Sequence, residues 1–211
     1  MTTQMSSGTR AAAALAGALL ATSTAACSEP QGQAAGHEPE TEVAEAHAKG
    51  AETTDPVEED LAVARAATAG YHRLEAATDG GYELPPAPAP LHECISAVDA
   101  PGAMGLHYIN GTNVGDTVLD PARPAALVYE PTKNGRLRLV AAEYVVFAEA
   151  WDAEHPGETP QLFGRDLALV PEGNRYELPA FYQVHAWLWK KNPHGMHADH
   201  NTRVSCEFAD G

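Results

Sequence analysis

The sequence predicts an α+β domain: one N-terminal helix packed on a curved, mostly antiparallel sheet, or small open barrel, of five to six strands. Three observations lead there. Apolar residues recur at helical spacing once, between residues 56 and 77. From Cys94 onward the pattern changes to short period-two runs separated by turn residues. Neither βαβ alternation nor an internal repeat interrupts them, which argues against a parallel doubly wound sheet. A folded part of about 150 residues suffices for one good core and not two.

Residues 1–26 precede that domain as an export signal. MTTQMSSGTR carries one charge, Arg10, and the uncharged AAAALAGALLATSTAA follows it up to Cys27. This stretch is too short and too weakly apolar for a spanning helix, which needs about 20 strongly apolar residues. TAAC at 24–27 looks like a bacterial lipobox in which Cys27 takes the lipid, although Thr24 stands where an aliphatic residue is preferred. Thr-Ala-Ala also suits ordinary signal cleavage, so anchorage and free secretion both stay open. Residues 27–54 read as a disordered acidic tether, with too few large apolar side chains to offset the entropy of ordering.

The chain carries 29 acidic and 13 basic residues, a formal net charge of −16. That balance argues against nucleic acid and against an electrostatic grip on anionic membrane, leaving a lipid as the one membrane contact. A monomer is expected. Of three cysteines, Cys27 is the lipid candidate. Cys94 and Cys206 then remain as natural disulfide partners in an oxidising compartment.

The helix is announced by Asp55-Pro56 as cap and first residue and by Glu58, Glu59 and Asp60 in the first turn. Leu61, Ala64, Thr68, Tyr71 and Leu74 form its apolar stripe, and Asp79-Gly80-Gly81 stops it near residue 77. ELPPAPAPL, 83–91, reads as an extended proline linker. Strands are expected at 105–110, 125–130, 136–151, 167–170 and 180–190. Asn134-Gly135 suits a tight hairpin joining 125–130 to 136–142.

Three residues on those strands raise a chemical question. In RLRLVAAEYVVFAEAW, alternation puts Leu137, Leu139, Ala141, Glu143, Val145 and Phe147 on one face, so Glu143 is a lone carboxylate on an apolar stripe. Such a group must be protonated, paired or bound to a metal. Arg138, Arg165 and Arg175 are the candidate partners for the paired reading. In FYQVHAWLWK, His185 shares a face with Phe181, Gln183, Trp187 and Trp189, and in GLHYIN, His107 shares one with Gly105 and Ile109. Two imidazoles and a carboxylate converging across a curved sheet would make a three-ligand site for zinc, copper or iron. Buried hydrogen-bonded histidines are the bland alternative. The loop NPHGMHADHN adds His194, His197 and His200 as secondary candidates; in one helical turn the last two would face the same way. HExxH, GxSxG, GxGxxG and P-loop motifs are absent, which disfavours zincins, serine hydrolases, nucleotides and flavins.

GAMGLHYIN, PAALVYEP, RLRLVAAEYVVF, PQLFG and YQVHAWLWKKNPHGM…N…VSC together resemble a family of exported bacterial proteins and lipoproteins, uncharacterised in activity. The resemblance covers roughly 92–208 and the helix before it. It brings His107, Glu143, His185 and Cys206 forward and implies no ligand or reaction. The family pattern has bulky aromatics where this chain has His197 and His200, which makes those two weaker candidates.

Three readings follow: an extracytoplasmic module binding a transition metal through His107, Glu143 and His185; a metal-dependent or Glu/His acid–base enzyme on a small molecule; and a structural envelope protein with a buried polar cluster. For the enzyme, Tyr108, Asn110 and Tyr144 are the nearest further polar groups. The anchor is tested first: Cys27→Ser is expected to move the mature protein from the membrane fraction to the soluble one. Unchanged fractionation would reject lipidation.

Overall fold

The computed structural model describes residues 55–209; the signal, the tether and Cys27 lie outside the described residues. Helix α1, Pro56–Thr68, begins where the sequence places it. The Asp55 carboxylate accepts a hydrogen bond from the Val57 amide at 2.9 Å, a cap that contributes about 1 kcal/mol. Leu61 and Ala64 pack on Ala142, Tyr144, Val184 and Ala186 of the sheet. The helix does not continue to 77. The Thr68 hydroxyl donates back to the Ala64 carbonyl at 2.7 Å and Gly70 follows, so the chain tightens into a 3-10 turn, Ala69–His72. A separate short helix α2, Leu74–Asp79, follows. Tyr71 and Leu74 still pack against Leu127, Tyr129 and Leu139, so the apolar stripe survives the break.

The proline segment turns rather than runs straight. Glu83 bridges to Ile109, and Pro90–His92 forms a 3-10 turn. Then come β1 (Ile95–Ser96), β2 (Ala103–Ile109), the single turn α3 (Gly111–Val114), β3 (Ala126–Pro131) and β4 (Leu137–Phe147). After them lie α4 (Ala148–Glu154), the small ribbon β5 (Gln161–Leu162) and β6 (Arg165–Asp166), then β7 (Ala168–Val170) and β8 (Phe181–Ala186). The main sheet has the order β1-β2-β3-β4-β8-β7 with every neighbouring pair antiparallel, and it curls into a half-barrel. This is the α+β class that the sequence predicts.

Two strands end earlier than their patterns suggest. Residues 148–151 belong to α4, where Ala and Glu favour helix once the chain passes Phe147. Strand β8 stops at Ala186, opposite Ala142, although β4 itself runs on to Leu137. The Trp187 amide then donates to the Met196 carbonyl and the Trp189 amide to the Val140 carbonyl. Trp189 consequently leaves the face of His185 and packs on the helix side, donating its indole N–H to the Thr68 hydroxyl at 3.2 Å.

The β3–β4 hairpin pairs as expected at Pro131↔Leu137, but its register slips between Val128 and Tyr129. Tyr129 faces Leu139 while Val128 faces Ala141, so Val140 is the extra residue of a bulge. The bulge reverses the alternation. Leu137 and Leu139 pack on the helix face, and Val140 and Ala141 both join Val128 and Trp187 in a separate cluster. Strict period two, which places Leu137 and Leu139 beside Glu143, is therefore corrected.

Cys94 and Cys206 form a disulfide across 112 residues, tying the last segment to the start of the sheet. In the chain-entropy account a loop of that length stabilises the fold by about 4–5 kcal/mol. Among the described residues no helix is long and apolar enough to cross a membrane.

Gly105 sits in β2 at φ +122°, and a Cβ there would lie 2.5 Å from the Tyr129 carbonyl oxygen. Gly105→Ala is expected to cost about 2–4 kcal/mol, from backbone strain and overpacking together. Denaturant unfolding checks this; a loss below about 0.5 kcal/mol would contradict the close approach.

Candidate metal centre

Four adjacent strands build the site. Glu143 on β4 stands directly across from His185 on β8 and, on the other side, from Ala126 on β3. His107 lies one strand further, on β2, paired with Val128. Neighbouring strands are about 4.8 Å apart, so His107 and Glu143 start roughly two spacings from each other. The small Ala126 side chain leaves the space between them open, and the curl of the sheet closes the distance.

The result is a tight cluster. His107 Nε2 lies 3.4 Å from one Glu143 carboxyl oxygen, and His185 Nε2 lies 3.8 Å from the other. One ligand atom from each of the three residues falls within 4.8 Å of the others. His107, Glu143 and His185 are 3 %, 7 % and 0 % exposed. Donor atoms that close together, on rigid strands, can hold a metal ion. His107 Nδ1 and both ring nitrogens of His185 have no hydrogen-bond partner among the described residues.

Burial governs the protonation of all three. It raises the Glu143 carboxyl to about 8, with the Asp199 charge adding to the effect. It lowers His107 to about 4, with the Gly105 backbone offsetting part of the shift. His185 is pushed well below the usual imidazole range by burial, then by its histidine neighbours. Burial therefore favours the neutral form of all three groups in the metal-free protein.

None of the arginines proposed as partners reaches Glu143. Arg138 lies 3.7 Å from Glu130, and Arg175 donates to the Ser96 carbonyl. Tyr108, Asn110 and Tyr144 are also committed elsewhere. Tyr108 meets Tyr129 edge to face, Asn110 caps α3, and the Tyr144 hydroxyl donates to the Pro121 carbonyl.

The histidine loop splits up instead of forming a helical turn. His194 is exposed in a turn. His197 donates from Nδ1 to the His185 carbonyl at 2.7 Å and stacks on Phe163, so its role is to hold the strand end. His200 comes closer in character to the site: its Nε2 is buried without a partner, and its charge would oppose protonation of both His107 and His185. Asp199 was not singled out by sequence. Its carboxylate lies 4.0 Å from His185 Nδ1, on the ring edge away from Glu143, where the orienting partner of a metal-ligating histidine stands. Only the chain's return from β8 brings it there, so no spacing rule could find it.

His107 and Glu143 also line a cavity, together with Gln183 and Tyr176. Sequence placed Gln183 on the His185 face but gave no sign of Tyr176, which arrives from the 171–180 loop. No known protein family, curated protein or solved structure matches the chain.

The buried carboxyl makes a pH prediction. The folded protein holds the Glu143 proton above its ordinary 4.5, so stability is full below that value and is lost as pH rises toward about 8. The histidines act oppositely, losing stability as pH falls from 6.5 toward about 4. Between pH 6.5 and 8 only the carboxyl contributes. Over that interval the chelator-treated protein is expected to lose roughly 1–2 kcal/mol in denaturant titrations. Glu143→Gln is expected to flatten the slope, and an equally steep slope in that variant would contradict a raised carboxyl.

Proposed function

We propose that this chain is an exported, extracytoplasmic protein that binds a divalent transition metal through His107, Glu143 and His185. The observation that carries the reading is the convergence of three buried ligand atoms from three strands, with His185 left unpartnered at both nitrogens. A structural hydrogen-bond cluster would satisfy those nitrogens, because buried polar groups are costly when unpaired. Two imidazoles and one carboxylate favour zinc or iron(II), with copper also compatible. Asp199 beside His185 Nδ1 would orient that ring for ligation. The bound ion would supply a Lewis-acidic centre, and the cavity beside His107 and Glu143 would give a small molecule access to it.

Export is supported by the signal-like first 26 residues and by the disulfide, which persists in oxidising compartments. We assign Cys27 as the lipid attachment point, and membership of the exported family it resembles belongs to the same proposal. Binding is preferred over catalysis because, beyond His107 and Glu143, Tyr176 and Gln183 are the only polar residues lining the cavity among the described residues.

Metal analysis of the mature protein is the test. About one equivalent of zinc or iron is expected in the wild type, and a stoichiometry near zero in His185→Ala. Affinity is expected to rise about tenfold per pH unit between 6 and 8, since binding must release the Glu143 proton. No stoichiometric metal after chelator-free purification would falsify the centre. Metal that survives His185→Ala but vanishes when His194, His197 and His200 are replaced would move it to the loop.

A further inference from the structure

The cavity beside the His–Glu–His cluster has a volume of about 150 Å³. An apolar hole of that size holds a benzene-sized molecule. Its lining is mostly apolar. Ile109, Val145, Leu178, Phe147 and Phe181 are among the apolar walls, while His107, Glu143 and Gln183 bring polar groups from neighbouring strands. Leu91 from the proline segment and Val114 from α3 add walls from outside the sheet.

We infer that this cavity is the chamber for a compact aromatic carboxylate, its ring among the apolar walls and its carboxylate on the metal held by His107, Glu143 and His185. The inference rests on the proposed metal centre and names the ligand class for it. The volume matches one substituted ring. The walls set the body. Phe147, Phe181 and Tyr176 present aromatic surfaces, and ring pairs in offset or edge-on contact gain beyond simple burial. The centre sets the headgroup. A divalent ion with two neutral imidazoles and one carboxylate keeps one positive charge and an open coordination position, which an anionic oxygen fills. Glu143 and His107 belong to both cluster and cavity, so an ion at the cluster borders the chamber. Gln183 lies on the same wall and can donate its amide N–H to the second carboxylate oxygen.

The experiment titrates benzoate, acetate and toluene into the zinc-loaded wild type and two cavity-filling variants, Val145→Phe and Val114→Phe. Calorimetry and thermal shift report binding, and metal content is measured in every sample. Neither substituted residue is a metal ligand, and they sit on different elements, so a folding failure in one leaves the other informative. Benzoate is expected to bind at least tenfold more tightly than acetate, which lacks the ring, or toluene, which lacks the headgroup. The filled variants are expected to keep their zinc and lose at least tenfold in benzoate affinity. Acetate binding as well as benzoate, toluene binding as well as benzoate, or benzoate binding unchanged in a filled, folded variant each overturns the proposal. If the wild type takes up no metal, the centre itself fails and the chamber is judged on toluene. Toluene binding that the filled variants abolish then upholds the apolar chamber, and its absence overturns that too.

Discussion

A carboxyl group carried into the interior by a central strand, with no lysine or arginine among the described residues to meet it, is the constraint around which this fold is arranged. The same sheet shows what ordinary compensation looks like. Glu130, also buried, accepts two hydrogen bonds from Lys190 at 2.6 and 2.7 Å and has Arg138 nearby. Glu143 has two histidines instead, both driven toward the neutral form by burial. Desolvation of this kind costs several kcal/mol unless something offsets it. A bound cation would resolve the conflict: it would favour the carboxylate, take one ring nitrogen from each histidine, and require both histidines to be neutral, the form burial favours.

Sheet geometry supplies the precision. Direct cross-strand pairing sets Glu143 against His185, whereas His107 must reach past β3. That reach depends on a small residue at Ala126 and on the curl of the sheet. The bulge at Val140 has a second consequence. By breaking the alternation of β4, it gives the helix-facing core Leu137 and Leu139 before the bulge and Ala142 and Tyr144 after it, which leaves Glu143 for the buried site. Its carbonyl also receives the Trp189 amide, so the bulge helps turn the chain out of β8 and toward the histidine loop.

That loop is where the most conspicuous sequence signal and the structure part. Three closely spaced histidines suggest a local site, yet they end in three environments: solvent, a stack on Phe163, and the neighbourhood of the cluster. The loop's contribution to the centre is support. His197 holds the His185 backbone and Asp199 faces the His185 ring. Ligands drawn from separate strands are held more rigidly than ligands on one loop, which is the arrangement a preorganised centre needs.

The sequence by itself determined the α+β class, the helix start at Asp55-Pro56, the hairpin around Asn134-Gly135, the pairing of Cys94 with Cys206, and the three residues of the cluster. Each rests on local chemistry or on period: a cap, a turn dipeptide, a count of cysteines, a polar group on an apolar face. Only the tertiary structure decided that the three residues meet. It also decided that Leu137 and Leu139 turn away from them, that β8 ends at Ala186, and that Asp199 and Tyr176 join the surroundings. These depend on a bulge, on where strands stop pairing and on the path of loops, all set by long-range pairing that no local pattern encodes.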